Sequence, residues 1–342
     1  MDGTPSFSRT LSIQRTELHE DLTQLLRPDK KAQYAVVVGA AGTGKSTAVR
    51  RAVRSLNEPK GAVYFLPPTL LTSFASELAR VLGYYRPVRW ADRVVRLVTG
   101  ETEEVQAPPL AAEPQATWSV LEPCLVNAAA RYRAKHGKPA ALVLDGMDLV
   151  AKKEPGFYLK VQDYAKKCAD AGILSVVLVF GDGRALPLLQ SSSAISRAGI
   201  IYEVGDVSDD DAVKWLTEEY NVVAIRAAAL VDSVAGGRFP LLMMCGTSTK
   251  SVDDLSDLLD RKTEVNLLRV GVDPTAPLFR TLLSSNSVKE VVAFKLMPEN
   301  KVQELLSLNI LSAHPDSTYT FYDRHAMRFM QRAAASRRGS WS

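Results

Sequence analysis

The first part of the chain contains short, nearly continuous apolar runs separated by turn residues. The runs cover Tyr34–Val38, Ala62–Leu66, Ala140–Leu144, Leu174–Phe180 and Ile200–Val204. Strands that lack polar alternation are buried on both faces, which occurs when helices cover both sides of a parallel sheet. The pattern therefore predicts five strands of a parallel sheet within an α/β domain.

Segments with a helical spacing of apolar residues separate these runs. In one of them, Phe74, Leu78 and Val81 recur at the spacing that places them on one helical face. The predicted helices are Ser46–Ser55, Ser73–Leu82, Trp118–His136 and Pro155–Ala171. Because strands and helices alternate along the chain, we predict a three-layer αβα fold.

The pattern changes after residue 205, where only helices are predicted. Ser208 and Asp211 have the spacing of a capping box, which predicts the start of a helix over Asp209–Tyr220. Helical periodicity then continues to about Leu268. We therefore expect a helical lid after the sheet.

The last part of the chain has a third pattern. Between Ala276 and Met330 the predicted order is helix, helix, short hairpin and helix. One helix covers Glu299–Leu308, and the hairpin turns at His314-Pro315-Asp316. This order is typical of a small winged helix-turn-helix.

These patterns divide the chain into five parts. We predict an N-terminal segment, an α/β core that carries a flexible insertion, a helical lid, a winged helix and a basic tail. The insertion is rich in glutamate and proline and poor in large apolar residues, which is typical of a mobile surface segment. The bounds are 1–33, 34–205 with the insertion at 99–116, 206–268, 275–332 and 333–342.

Composition places few further limits on this chain of 342 residues. Its net charge of +4 is too small to require a nucleic-acid partner. The three scattered cysteines, Cys124, Cys168 and Cys245, predict buried free thiols in a reducing compartment. No apolar run approaches the ~18 residues of a membrane span, and the first residues lack the apolar region of a secretory signal. We therefore expect an intracellular protein, cytoplasmic or nuclear, without a membrane partner.

The most specific motif lies between the first strand and the helix that follows it. It fits the pattern G-x-x-x-x-G-K-[ST], with Thr47 directly after it, and reads Gly39-Ala40-Ala41-Gly42-Thr43-Gly44-Lys45-Ser46. The glycines let the backbone fold around phosphates, Lys45 supplies a positive charge to the β and γ oxygens, and Ser46 offers its hydroxyl to Mg²⁺. The motif predicts binding of a nucleoside triphosphate, with ATP and Mg²⁺ as cofactors.

A phosphate loop of this kind requires an acidic partner for Mg²⁺ at the end of a buried strand. Asp145 directly follows the apolar run Leu142–Leu144 and is the predicted partner. Many ATPases of this layout carry a second carboxylate at the next position to orient the attacking water, and this chain has Gly146 there. Asp148 or Asp182 could replace that carboxylate, although Asp182 could equally be a turn residue.

Two further residues are candidates for the site. Arg197 precedes the last strand, at an edge that can face the nucleotide of a neighbouring subunit, so it is either a catalytic arginine or an ordinary surface residue. Pro240, in Gly236-Gly237-Arg238-Phe239-Pro240, either contacts the adenine from the lid or only starts a helix.

Together these segments resemble the archaeal-type ATPases of the STAND branch of the AAA+ proteins. The matching segments are Gly39–Ser46, Leu142–Asp145, Glu203–Asp206, Gly236–Leu241 and Tyr319–Met330. An N-terminal run, Gln14-Arg15-Thr16-Glu17-Leu18, is also similar to the short x-R-x-E-L motif of that family. This similarity implies that Arg15 caps the nucleotide pocket.

The resemblance implies a P-loop NTPase fold and an ATPase that switches with its nucleotide. In such a protein the lid and the winged helix rearrange when ATP binds, often within an oligomer. Partners would be ATP and ADP, further copies of the chain, and a protein that the sequence does not identify. Because Gly146 stands where the family has an acidic residue, we expect slow hydrolysis, which suits a switch or an assembly ATPase better than a motor.

Two other functions stay open. In a DNA-associated ATPase, the winged helix and the arginines Arg332, Arg337 and Arg338 would contact the duplex backbone. The helix that would read DNA, Glu299–Leu308, carries only Lys301 as a base, which counts against this function. A P-loop kinase for a small molecule is the other alternative, but neither an acceptor site nor an arginine-rich lid is evident.

Overall fold

The computed structural model describes residues 13, 15–27, 31–56, 61–83, 117–181 and 200–338. The predicted insertion at 99–116 and the candidate residues Asp182 and Arg197 lie outside these ranges. Within the described ranges, no helix is both long enough and apolar enough to cross a membrane.

A five-stranded parallel sheet forms the centre of the first part of the chain. Its strands are β1 (Tyr34–Val38), β2 (Ala62–Phe65), β3 (Ala140–Asp145), β4 (Leu174–Val179) and β5 (Ile200–Glu203). They are arranged in the order β2, β3, β4, β1, β5, and every neighbouring pair is parallel. All residues of β1 and β4 are buried, as their unbroken apolar sequences predict.

Helices cover both faces of this sheet. They are α1 (Thr16–Leu26), α2 (Lys45–Ser55), α3 (Phe74–Val81), α4 (Trp118–His136), α5 (Met147–Lys153) and α6 (Pro155–Asp170). Alternate residues of β1 enter different cores: Val36 packs with α3, α4 and α6, whereas Val37 packs with α1 and α2. Side chains of a strand alternate between the two faces of a sheet, so a single strand serves both layers. The predicted three-layer αβα fold is therefore confirmed.

The sequence analysis missed two of these helices. In α1, Leu18, Leu22, Leu25 and Leu26 are buried against α2 and the sheet. This i, i+4, i+7, i+8 spacing is an amphipathic helical pattern, so the signal for α1 was present in the sequence. Helix α5 is only seven residues long and begins directly after β3, where a strand and a turn alone were expected.

A helical unit, defined here as residues 209–270, follows the sheet. Its helices are α7 (Asp209–Tyr220), α8 (Ala224–Leu230), α9 (Phe239–Thr247) and α10 (Val252–Val270), with a short π-helical turn at Val231–Ala235. The unit has a core of its own, formed by residues such as Leu216, Leu230 and Leu242. Ser208 caps α7 by accepting a hydrogen bond from the Asp211 N–H at 3.2 Å, as its spacing indicated.

A C-terminal unit, defined here as residues 277–338, completes the described chain. Its elements are α11 (Pro277–Ser285), β6 (Val288–Lys289), α12 (Glu290–Leu296), α13 (Glu299–Ser307), β7 (Leu311–Ala313), β8 (Thr318–Phe321) and α14 (Arg324–Arg338). The three strands form an antiparallel sheet in the order β6, β8, β7. The hairpin and the helices occur in the predicted order, and their assignment as a winged helix remains a prediction.

The last helix differs from the prediction in two respects. It continues through residue 332 to Arg338, so the predicted basic tail begins inside a helix. In addition, arginines at every fourth position of α14 face the helical unit, where Arg324 pairs with Asp209, Arg328 with Asp232 and Arg332 with Asp260. The nitrogen–oxygen distances of these pairs are 2.7, 2.7 and 2.6 Å. Residues four apart lie on one face of a helix, so α14 joins the C-terminal unit to the helical unit.

The three cysteines are free, as predicted. Cys168 and Cys245 are buried in the cores of the sheet and the helical unit. Cys124 is only half-buried, which corrects the expectation that all three thiols are buried.

Candidate functional site

The glycine-rich loop connects the carboxyl end of β1 to the start of α2. Gly39 has a φ of 148°, and a Cβ atom at this position would lie 2.3 Å from the carbonyl oxygen of Val204. At Gly42, where φ is 86°, a Cβ atom would lie 2.7 Å from two ring carbons of Pro240. Neither position accepts a side chain, because L-residues rarely adopt these conformations and neighbouring atoms fill the space. The glycines are therefore required for the shape of this loop.

The lysine of the loop points back into it. Lys45 is the first residue of α2 and only 4% exposed. Its Nζ donates to the Ala40 carbonyl oxygen at 2.6 Å and to the Thr43 hydroxyl at 3.3 Å. Ser46 is half-buried and Thr47 exposed in the first turn of the helix. The loop thus holds a buried positive charge at a helix N-terminus, an arrangement suited to phosphate binding.

Asp145 is the last residue of β3 and is 3% exposed. Val143, two residues earlier, packs with Val49 of α2, so Asp145 lies on the same face of the sheet as α2. Ser46 starts that helix. A hydroxyl and a carboxylate are the oxygen ligands that Mg²⁺ prefers, and this ion usually keeps waters and phosphate oxygens as its other ligands. Among the described residues no group of three or more His, Cys, Asp or Glu could hold a metal, which fits an ion bound by few protein ligands.

Sequence analysis missed a tyrosine that contacts Asp145. The Tyr64 hydroxyl, on the neighbouring strand β2, donates a hydrogen bond to Asp145 Oδ2. Burial, together with this hydrogen bond and the negative charge of Asp145, raises the pKa of Tyr64, so the hydroxyl remains a donor. The Arg50 guanidinium of α2 lies 5.0 Å from the centre of the tyrosine ring.

Gly146 follows Asp145 and starts α5. Its φ is 77°, in the left-handed region that favours glycine, and its N–H donates to the Val179 carbonyl at 3.0 Å. Asp148 accepts a hydrogen bond from the Gly181 N–H at 2.7 Å through its Oδ1. Asp148 therefore connects the ends of β3 and β4, which pair side by side as predicted.

Arg15 contacts the loop from the N-terminal side. Its Nη1 donates to the carbonyl oxygens of Thr43, at 3.1 Å, and Gly205, at 3.2 Å. Burial lowers the pKa of Arg15, and the nearby Tyr202 and Asp206 partly offset this effect. The predicted cap residue is thus adjacent to the loop and bonded to its backbone.

Arg238 contacts the loop from the helical unit, next to the predicted Pro240. It is 5% exposed, and its guanidinium pairs with both carboxylate oxygens of Asp206 at 2.6 and 3.1 Å. A further nitrogen donates to the Ala41 carbonyl at 3.0 Å. Burial alone would lower the pKa of Arg238, but the hydrogen bonds and charge of Asp206 outweigh it and raise that pKa.

Tyr322 of the C-terminal unit also contacts the loop. Its hydroxyl donates to the same Ala41 carbonyl at 2.8 Å. Its ring lies under the Arg238 guanidinium at 4.3 Å, and its carbonyl accepts from Arg238 Nη2 at 2.6 Å. Neither Arg238 nor Tyr322 was a predicted site residue. Since they are 197 and 281 positions from Ala41, no local sequence signal could have brought them together with the loop.

The structure therefore gathers most of the predicted site. The loop residues 39–47, Arg15 and Pro240 lie together at the carboxyl end of β1, and Asp145 lies at the same edge of the sheet. Asp182 and Arg197 lie outside the described residues.

The parallel sheet, the glycine-rich loop with its buried lysine and the acidic strand end define the class of P-loop NTPases. Residues 13–156 match the family of AAA ATPase domains, so this part of the chain is an AAA ATPase domain. The match agrees with the predicted AAA+ resemblance. None of the curated proteins matches the chain.

Solved structures with a similar fold include three from archaea. A Walker-type ATPase of Pyrococcus abyssi is 15% identical with a TM-score of 0.59, over 96% of this chain and 99% of that one. The ORC2 protein of Aeropyrum pernix in its ADP form is 13% identical with a TM-score of 0.48, over 97% and 96% of the two chains. Cdc6p of Pyrobaculum aerophilum is 14% identical with a TM-score of 0.45, over 98% and 97%. The first of these likenesses concerns the fold of nearly the whole chain.

Proposed function

We propose that this protein is a Mg²⁺- and ATP-dependent ATPase of the STAND type that acts as a slow nucleotide-dependent switch. The loop geometry supports ATP binding, since buried Lys45 and the N–H groups at the start of α2 provide the positive field that a triphosphate needs. Ser46 and Asp145 are the proposed Mg²⁺ ligands. Arg15 and Pro240 are the proposed contacts of the nucleoside.

The observation that carries the switch is the double contact on Ala41. Its carbonyl accepts one hydrogen bond from Arg238 of the helical unit and one from Tyr322 of the C-terminal unit. The loop that would bind phosphate is therefore the surface on which both later units rest. A ligand shifts a conformational equilibrium by its different affinity for the two states, so a ligand that reshapes this loop can move both units.

Lys45 provides the competition that such a switch needs. Its ammonium group donates to the carbonyl of Ala40, the residue directly before Ala41. A phosphate bound by Lys45 competes with that carbonyl for the same group. We infer that triphosphate binding alters the backbone at Ala40 and Ala41, and with it the contacts of Arg238 and Tyr322.

Slow hydrolysis rests on the surroundings of Asp145. Gly146 offers no carboxylate, and the nearby Asp148 already accepts a bond from Gly181. Loss of a positioned general base typically costs about 10² to 10⁴ in rate. The long-lived ATP state that follows favours a switch or an assembly ATPase. A catalytic role of Asp182, and of Arg197 across a subunit boundary in a homo-oligomer, belongs to the same proposal.

DNA association is the alternative, and two contacts count against it. Arg332 is paired with Asp260, and the Nζ of Lys301 donates to the Gly271 carbonyl at 2.8 Å. Both side chains would have to give up these partners to reach a phosphate backbone. A DNA role is therefore kept as an outcome of the experiment.

The test begins with nucleotide binding to the wild type and to Lys45→Ala, followed by a fluorescent ATP analogue. We expect Lys45→Ala to lose binding while it keeps the fold, since it removes a charge from a loop rather than volume from a core. Lys301→Ala is the matched control, because it also removes a lysine that donates to a backbone carbonyl, far from the loop. Equal ATP affinity in the wild type and Lys45→Ala would refute the proposal.

The switch itself is tested by light scattering and amide hydrogen exchange in ADP, in ATP and in a non-hydrolysable analogue, with and without DNA. We expect exchange at residues 238–242 and 320–324 to differ between ADP and the analogue. Identical exchange in both nucleotides would contradict the switch. Salt-dependent DNA binding would favour the alternative function.

A further inference from the structure

The hydrogen bond between Tyr64 and Asp145 links two strands at the proposed Mg²⁺ site. Tyr64 pairs in register with Val143, two residues before Asp145, so Tyr64, Val143 and Asp145 share one face of the sheet. The hydroxyl donates to Oδ2 of a carboxylate that is 3% exposed. Within the described chain, this is the side-chain hydrogen bond recorded for Asp145.

Arg50 holds the tyrosine from the other side. Its guanidinium carbon lies 5.0 Å from the centre of the Tyr64 ring, within the range of a cation–π contact. Arg50 follows Ser46 by four residues in α2, and residues at this spacing lie on one helical face. The contacts from Arg50 to Tyr64 and from Tyr64 to Asp145 therefore connect the helix that carries one proposed Mg²⁺ ligand to the strand that carries the other.

We propose that Tyr64, held by Arg50, is a positioning residue for Asp145. The hydroxyl fixes Oδ2 and so sets the orientation of Oδ1 toward the metal and its bound water. Gly146 has no side chain that could share this task. Partners that hold a metal ligand typically contribute about 10- to 100-fold to metal affinity. This inference rests on the proposed function, because it assumes that Asp145 serves Mg²⁺.

The variant Tyr64→Phe tests the proposal, since it keeps the ring and its contact with Arg50 and removes only the hydroxyl. Binding of a fluorescent non-hydrolysable ATP analogue is measured in EDTA and at increasing free Mg²⁺. We expect unchanged affinity in EDTA and an increase of about tenfold or more in the Mg²⁺ concentration at half effect. A purely structural role would change thermal stability without moving this Mg²⁺ midpoint.

Tyr34→Phe is the matched control. Tyr34 lies at the opposite end of the sheet, at the start of β1, where its hydroxyl accepts a hydrogen bond from Gln162 at 3.2 Å. We expect it to leave the Mg²⁺ midpoint unchanged. Arg50→Met is a second variant and should raise the midpoint in the same direction by a smaller factor. It decides the question if Tyr64→Phe does not fold.

An unchanged midpoint in Tyr64→Phe, or in Arg50→Met where that variant decides, would overturn the inference. A lower midpoint would overturn it as well, because it would identify Tyr64 as a competitor of the metal. These outcomes differ from failure of the proposed function. If the wild type binds no nucleotide in EDTA or in Mg²⁺, both proposals fall, whereas Mg²⁺-dependent binding that Tyr64→Phe leaves intact removes only this one.

Discussion

Arg238→Lys is the sharpest test of the connection between the loop and the two later units. The arginine pairs with Asp206 and also donates to the carbonyl oxygens of Ala41 and Tyr322. A lysine keeps the positive charge beside Asp206. Its compact ammonium group cannot reproduce the planar fork of a guanidinium, so it cannot reach all of these acceptors at once.

The expected loss follows from these contacts. The variant gives up the bonds to Ala41 and Tyr322, and bonds from a charged donor contribute about 1.5 to 3 kcal/mol each. Ala41 is exposed, so water can replace the lost donor there, and the lower end of the range applies. The contacts between the loop and the later units then weaken by about 3 kcal/mol, which corresponds to a roughly hundredfold increase in the open population.

Amide hydrogen exchange measures this opening. The Phe239 N–H donates to the Gly42 carbonyl at 3.3 Å across the interface, so its exchange reports separation of the helical unit from the loop. We expect about hundredfold faster exchange in a peptide that contains Phe239. The matched control is Arg226→Lys, which removes donors to the Ser248 and Lys250 carbonyls inside the helical unit.

Two outcomes would refute this reasoning. Exchange at Phe239 that stays at the wild-type rate in Arg238→Lys would mean that other contacts hold the units on the loop. Equal acceleration in Arg226→Lys would mean that the exchange reports loosening of the helical unit itself. In either case Arg238 would not be the link between the loop and the later units.

Two further predictions concern Gly146 and His325. Gly146→Glu places a side chain at a φ of 77° and should lower the free energy of unfolding by about 1 to 2 kcal/mol, while its carboxylate should raise ATP turnover if it faces the γ-phosphate. Gly146→Asn tolerates this conformation better and separates strain from catalysis in denaturation and turnover assays; a Glu variant as stable as the wild type would contradict the strain argument. Burial lowers the pKa of His325 below its ordinary 6.5, against the opposing effect of Asp260, so folding favours the neutral ring. This stability is present above about pH 6.5 and is lost as the pH falls through the lowered pKa, so the thermal midpoint should fall more between pH 7 and 5 in the wild type than in His325→Gln, and parallel pH profiles would exclude the effect.

Local patterns in the sequence determined much of the core of this protein. The unbroken apolar runs located all five strands to within one residue at either end, because a strand buried on both faces has no polar position. The glycine-rich motif predicted a phosphate loop between β1 and α2, since the backbone conformation depends on glycines at fixed positions. Helix α1 could also have been predicted from its four buried leucines.

Only the tertiary structure decided the order of the strands and the partners of the loop. All five strands are apolar, so the sequence gives little reason for β1 to lie between β4 and β5. Tyr64 reads as an ordinary strand residue until β2 pairs with β3 and brings its hydroxyl to Asp145. Arg238 and Tyr322 meet Ala41 across 197 and 281 positions. Periodicity and spacing describe neighbours along the chain, whereas these contacts depend on how separately folded units pack against one another.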